Sequence, residues 1–337
     1  MTISTTLKFE NIEFLALEGK LMVKCSKCSE RAVIRLRYAR LNLCRKHFIE
    51  FIENRFIKLS MRNKFFKNVK RVLVAVSGGK DSVTLLHLMS KAAEYFGFEI
   101  HGLTIDLGIG NNYSSKSVEA SLKNFEMLKI PYTVFSLKKH YGFTIDDVAL
   151  YGREAGIKKP VCSVCGTIKR YIMNKVALDV DADAIVTGHN LDDMVQYVLS
   201  SVYSGRIEDI IRLGLKTPTR NGLIGRVKPL AYFSEKETLM YVILKKLPFN
   251  YDICPHYRPR SFHEKIRKIS NELEEAVPGS KITLVRSFLE KIQPALEAKY
   301  SSSIGKLRKC KLCGMPSTGE ICSFCKIRLA MEKIVKG

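Results

Sequence analysis

Apolar residues recur along the chain in two rhythms. Residues 71–76 are a short apolar run, the pattern of a strand buried on both faces, and 99–106, 132–137 and 184–187 also read as strands. Residues 83–96, 117–129 and 194–203 carry helical spacing between and after them. Strands alternating with helices predict an α/β fold with a parallel sheet and ligands at the carboxyl ends of its strands. Before this core, residues 30–43 include Ala-Val-Ile-Arg-Leu-Arg-Tyr, whose alternation predicts a strand with charged side chains on one face. After it, residues 261–276 and 281–299 predict two amphipathic helices. Pro278 and Gly279 separate them, and Pro294 is placed to kink the second.

Composition narrows the class. The chain has 337 residues, 46% of them apolar, enough for two or three units and a full core. No run approaches ~18 apolar residues, so no membrane-spanning helix is expected. Residues 1–10 lack a basic stretch followed by an apolar one, so a secretory leader is not expected and a cytoplasmic location is. The net charge of +23 is uneven. Residues 1–70 hold 16 basic and 6 acidic side chains, and residues 301–337 hold 8 and 2. A surplus concentrated at both ends favours a polyanionic partner.

The ten cysteines sort by spacing, and eight of them form four C-x-x-C pairs. Metal or redox chemistry is a better reading than a disulfide framework in a chain of this size. Cys25 and Cys28, followed by Cys44 and His47, can close a tetrahedron around zinc. Cys310 and Cys313, followed by Cys322 and Cys325, form a four-cysteine knuckle with Gly314, Pro316 and Gly319 at its turns. Both read as structural zinc sites, two ions in all. Cys162, Cys165 and Cys254 remain, the last 89 residues beyond its neighbour. They fit an iron–sulfur cluster with one iron left open, a zinc site completed by His256 or His263, or a catalytic thiol pair.

Residues 71–76 lead into Ser77-Gly78-Gly79-Lys80-Asp81-Ser82 and then into the helical pattern. Gly78 and Gly79 let backbone N–H groups approach a phosphate, Ser77 and Ser82 add hydroxyls, and the helix N-terminus favours an anion. Asp106 ends the second strand and fits an adenosine contact. Gly188 and His189 stand where the 184–187 strand would meet a nucleotide. Asp192 and Asp193 can bind magnesium or move protons, although capping of the following helix would explain one of them. His87 and His101 read as packing residues, and His140 as part of a solvated basic loop.

These features occur in a recognisable order: C-x2-C and C-x2-H, S-G-G-K-D-S, C-S-V-C-G with a lone downstream cysteine, G-H-N-L-D-D, and two further C-x2-C pairs. In that order the chain resembles the TtuA group of tRNA 2-thiouridine synthetases, over nearly its whole length. The S-G-G-x-D-S loop is that of the ATP pyrophosphatases (PP-loop enzymes). The two end knuckles separate this group from the thiocytidine-forming enzymes of the same superfamily.

The resemblance implies four units: a zinc ribbon over 1–58, a PP-loop domain over 59–258, a helical linker over 259–304 and a zinc knuckle over 305–337. It implies that Cys162, Cys165 and Cys254 hold a 4Fe–4S cluster. It places the group's basic residue on Lys169 and its active-site aspartate on Asp193. Met194 departs from the glutamate of many relatives. The implied reaction is adenylation of a uridine O2 by Mg-ATP, with Asp81 and Lys80 at the loop, followed by attack of a cluster-bound hydrosulfide on C2. The sulfur would come from sulfide or from a thiocarboxylated ubiquitin-like carrier, and homodimers are common in the group. The basic ends would hold the tRNA backbone through Arg35, Arg37, Arg40 and Lys46 and through Lys306, Arg308, Lys309 and Lys311. Two other readings compete: sulfur transfer by cysteine persulfide without a cluster, and a zinc-dependent tRNA-binding scaffold without catalysis.

Overall fold

The computed structural model describes residues 23–300 and 307–335, apart from Arg212 and Arg260. The leader expectation for 1–10 and the RNA candidate Lys306 lie outside these. The stretch expected as one strand is a hairpin. β1 (Ile34–Leu36) and β2 (Leu41–Leu43) pair antiparallel. A 3-10 turn over Arg37–Ala39 and a left-handed Arg40 (φ 52°) fold the chain back between them. α1 (Arg45–Arg62) follows at once and runs unbroken across residue 58. Its Phe48, Ile52, Phe56 and Ser60, spaced four apart, are the buried stripe.

The core is a five-stranded parallel sheet of β3 (Arg71–Ala75), β4 (Glu99–Asp106), β5 (Tyr132–Ser136), β6 (Ala184–Val186) and β7 (Gly225–Val227), in the order β5-β4-β3-β6-β7. Both faces of β3 are covered. Val72 and Val74 join one apolar cluster and Leu73 the other, as the two-residue strand period requires. α2 (Lys80–Phe96), α3 (Tyr113–Met127) and later α9 pack on the first face, while α4 (Leu137–Tyr141), α5 (Ile145–Tyr151) and α6 (Val161–Asp179) lie on the second. The chain leaves β3 toward β4 on one side, and β6 joins β3 on the other. The crevice between β3 and β6 is therefore the switch point at which such sheets bind ligands.

α7 (Leu191–Ser204) and α9 (Glu235–Lys245) border this crevice, and α8 (Ile207–Ile211) packs against α7. The segment expected to link the core to the last knuckle forms α10 (Phe262–Ala276), α11 (Ser280–Ser287) and α12 (Gln293–Tyr300). It packs: Val285, Phe288 and Leu289 share a cluster with Leu191, Met194 and Val198 of α7. A π-helical turn over Phe288–Ile292 comes just before Pro294, which cannot donate an N–H to the preceding turn. β8 (Arg308–Lys309), β9 (Pro316–Ser317) and α13 (Ser323–Val335) complete the chain. No helix among the described residues is long and apolar enough to cross a membrane.

Candidate active site

The loop after β3 has the geometry its sequence implies. Gly78 is left-handed (φ +79°), and a Cβ there would lie 2.1 Å from the Ser117 carbonyl oxygen, so only glycine fits. The Ser77 amide donates to Ser82 Oγ (3.1 Å), and that hydroxyl donates to the Gly79 carbonyl (2.9 Å). α2 begins at Lys80, inside the motif, so its N-terminal amides point into the crevice. Lys80 Nζ lies between Asp81 Oδ2 (2.9 Å) and Glu235 Oε1 (3.0 Å), which hold its charge on despite burial.

Asp81 is an anchor. Its Oδ1 accepts from Asn190 Nδ2 (3.0 Å) and Thr238 Oγ1 (2.6 Å), tying the loop to α7 and α9. Gly188 packs against the same turn, and a Cβ on it would lie 3.2 Å from the Ser82 nitrogen. Asp106 stands at the end of β4 with Oδ1 accepting the Gly108 amide (3.0 Å). His189 donates or accepts at Thr187 Oγ1 (2.8 Å). Burial and the nearby Lys228, Arg226, Arg170 and Lys169 push its pKa down to about 4, so its ring is neutral.

The two consecutive acids of α7 have separate fates. Asp192 is buried and paired with Lys281 (2.5 Å), and its other oxygen takes the Glu235 amide (2.7 Å). It is structural. Asp193 forms a capping box with Asn190, yet burial and the charge of Asp81 push its pKa up to about 7. Met194 faces away into the apolar cluster of α7 and is fully buried.

The cysteines divide as sharply. At the N-terminal knuckle, Cys28 and Cys44 sulfurs are 3.8 Å apart and His47 Nδ1 is 3.3–3.4 Å from Cys44 and Cys25. At the C-terminal knuckle, Cys313 and Cys322 sulfurs are 3.8 Å apart. Zinc–sulfur bonds of about 2.3 Å give a tetrahedron edge of about 3.8 Å, so both sets fit a single zinc ion. Among the described residues, these are the two groups whose ligand atoms all lie within 4.8 Å of one another.

The central three do not meet that test. Cys162 and Cys165 sit on the first turn of α6, and Cys254 on the loop after α9. They are close enough that Cys162 and Cys254 help raise the Cys165 pKa, after burial, against Lys169 one turn on. The histidines that might have completed a zinc site are engaged elsewhere. His256 bonds Asp146 Oδ1 (2.7 Å), and His263 packs on Tyr197. Among the described residues these three thiols are not part of a set close enough for one ion, and a three-thiolate site suits a cluster that leaves one iron open. Asn250 fixes this loop to the nucleotide loop: its amide donates to the Gly78 carbonyl (2.8 Å) and its side chain to Ser117 Oγ (2.9 Å).

Residues 24–49 match the family described as 2-thiouridine synthetase TtuA, N-terminal LIM domain, and residues 48–257 match the PP-loop domain. The chain is 36% identical over 307 residues to the tRNA-5-methyluridine(54) 2-sulfurtransferase of Pyrococcus horikoshii, covering 90% of this chain and 93% of that protein. It belongs to the TtuA family of PP-loop 2-sulfurtransferases. The Thermus thermophilus enzyme of the same name is also 36% identical, covering 93% of each chain. The U34-tRNA thiolase NcsA from Methanococcus maripaludis, solved with its 4Fe–4S cluster, superposes with a TM-score of 0.73 at 27% identity, covering 91% of this chain and 96% of that one.

Several residues of the crevice carried no signal in the sequence. Glu235 and Thr238 hold the nucleotide loop from α9, and Asn250 joins it to the Cys254 loop. Arg226 and Lys228 follow from β7, a three-residue edge strand too short to show a period. Of the other histidines, His87 is buried against Asn124 Oδ1 (2.8 Å) and His101 bonds Thr133 Oγ1 (2.9 Å). His140 lies on α4, not in a loop, with its ring stacked 3.9 Å from Phe135. Arg35, Arg37 and Arg40 line one shallow pocket with Asn42 and Pro278, while Lys311 pairs with Glu320 (3.1 Å).

Proposed function

We propose that this protein uses ATP to replace the C2 oxygen of a tRNA uridine with sulfur. The Asn250 tether carries the reading: it fastens the turn that would hold ATP phosphates to the loop that carries Cys254, so activation and sulfur delivery share one crevice. The Gly78 and Gly79 amides, the Ser77 and Ser82 hydroxyls and Lys80 would receive the phosphates, with magnesium offsetting their charge. Asp193, with a pKa near neutrality, is suited to take the uridine N3 proton as O2 attacks the α-phosphorus. The O2–phosphorus bond forms, the bond to the β-phosphate oxygen breaks, and pyrophosphate leaves. A sulfur nucleophile then attacks C2, and AMP departs with the former O2. Lys169, four residues after Cys165 on the same helix face, would offset charge during that attack.

Cys162, Cys165 and Cys254 would hold the 4Fe–4S cluster, which supplies sulfur as a deprotonated sulfide when bound. Cys25, Cys28, Cys44 and His47, and the four cysteines 310, 313, 322 and 325, would each hold one structural zinc. We place the target at position 54, because the relatives that are 36% identical bear that number in their names and the 27% identical NcsA bears 34. Thiouridine mapping by mass spectrometry, with the protein incubated anoxically with tRNA, ATP and sulfide, tests this. The expected product is one 2-thiouridine in the T-loop; thiolation at the wobble base overturns the position, and tRNA left unchanged overturns the activity.

A further inference from the structure

Among the described residues, well-covered cations are commonly paired with acids, as three show. Arg55 is held by Glu237 (2.7 Å), Lys281 by Asp192 (2.5 Å) and Lys80 by Asp81 (2.9 Å). At the carboxyl end of β7 the rule fails. Arg226 and Lys228, two residues apart and so on one face of the strand, stand beside Arg170 of α6. Their polar contacts are weak and all to backbone: Arg226 Nη2 to the Arg170 carbonyl (3.5 Å), Lys228 Nζ to the Leu213 and Gly214 carbonyls (3.5 and 3.4 Å). Arg226 Nε is buried with no partner. Arg170 meets a hydroxyl, Thr167 Oγ1, at 3.4 Å. None of the three has a carboxylate partner among the described residues.

Uncompensated charge at a half-buried site is costly, and the costs are visible in the molecule. Burial and Arg226 push the Lys228 pKa down to about 8, and burial and Arg170 lower that of Arg226. The position gives the cost a purpose. The Thr187 amide donates to the Val227 carbonyl (3.1 Å), so Lys228 lies next to His189 at the mouth of the β3–β6 crevice. Lys169 and the cluster cysteines open on the same mouth from α6.

We propose that Arg170, Arg226 and Lys228 form a second phosphate site, separate from the loop after β3, that takes one phosphate group of a bound substrate. Two participants in the proposed reaction carry such a group: the tRNA, with a backbone phosphate beside the target uridine, and ATP, whose β- and γ-phosphates leave as pyrophosphate. The RNA arm rests on the tRNA reading above; the inorganic-phosphate arm does not.

The test uses the full chain and Arg226→Gln, Lys228→Gln, Arg226→Lys and Lys80→Ala, each first confirmed to melt cooperatively. With the loop site weakened by Lys80→Ala, inorganic phosphate should still raise the melting temperature, also when Arg226→Lys is added, and this response should be lost when either Gln substitution is combined with Lys80→Ala. Affinity for tRNA without ATP, and for pyrophosphate without tRNA, then identifies the source. If it is RNA, the Gln variants lose about ten- to hundred-fold in tRNA affinity, and the slope against log salt falls by about 0.7–0.9 per lost contact. If it is pyrophosphate, that loss appears in pyrophosphate affinity and tRNA binding is unchanged. Gln variants that keep the phosphate response and both affinities overturn the site. Loss of tRNA binding by every form, wild type included, with the phosphate response intact, overturns the tRNA reading alone.

Discussion

At each end of the chain four ligand atoms close to within 4.8 Å of one another, and most of those side chains are buried in a continuous apolar cluster. On α6 and the loop behind it, the three cysteines are not among the described sets that close within 4.8 Å, and Cys162 is exposed. The knuckles also belong to opposite faces of the sheet: Cys25 and Cys44 share an apolar cluster with Val72 and Val74, while Cys310, Cys322 and Cys325 share the other with Leu73. The stacking of Tyr171 of α6 on Phe324 of α13, at 3.8 Å, makes the last knuckle a buttress for the helix that carries Cys162 and Cys165. The consecutive acids of α7 repeat the contrast, Asp192 satisfied and Asp193 held away from its ordinary state. A closed site spends its ligands on stability, whereas an open one keeps a valence for substrate.

The largest effect expected from this contrast is on the ends. Stripping zinc should remove binding free energy of about 10 kcal/mol or more per site. Elemental analysis should give two zinc ions per chain, and Cys322→Ser should lose one of them and melt well below the wild type. A Cys322→Ser protein with unchanged melting would erase the distinction.

In the centre the pattern should invert. Cys162→Ser, Cys165→Ser and Cys254→Ser, prepared without oxygen, should each lose iron and thiolation, by a factor beyond ~1,000, while keeping zinc, melting temperature and tRNA-dependent pyrophosphate release. One of the three retaining full thiolation would favour a persulfide carrier over a cluster.

The acids give two smaller tests. Lys281→Met leaves Asp192 buried without its partner and should cost about 3–5 kcal/mol in chemical denaturation. Asp193→Asn should instead change a pH profile. The folded pKa of Asp193, about 7, lies above its ordinary 3.8, so the folded state binds the extra proton between those values. Its contribution to stability is therefore lost as pH rises from about 4 to 7, and Asp193→Asn should flatten that fall. Pyrophosphate release by the wild type should rise through about pH 7 as the carboxylate ionises; the same rise in Asp193→Asn would show that another group is the base.

The sequence by itself determined the sheet's central strand, because a strand buried on both faces must be apolar almost without interruption, and residues 71–76 are. It determined the nucleotide turn, since Gly78 and Ser82 lie within six residues and their geometry is local. It determined the two knuckles, whose paired spacing almost suffices to close a tetrahedron. Tertiary structure decided the rest. The 89 residues between Cys165 and Cys254 fix no distance; the packing of α9 and bonds made across the fold, such as Asn250 to Gly78 and Lys116 to Asp252 (2.7 Å), bring that loop to the crevice. The difference between Asp192 and Asp193 depends on Lys281, 89 residues from Asp192, and on the charge of Asp81. Arg226 and Lys228 look like ordinary surface cations in the sequence, and only the fold places them beside Arg170. Local patterns record what a residue's own backbone and burial require; charge and metal chemistry depend on neighbours that arrive through space.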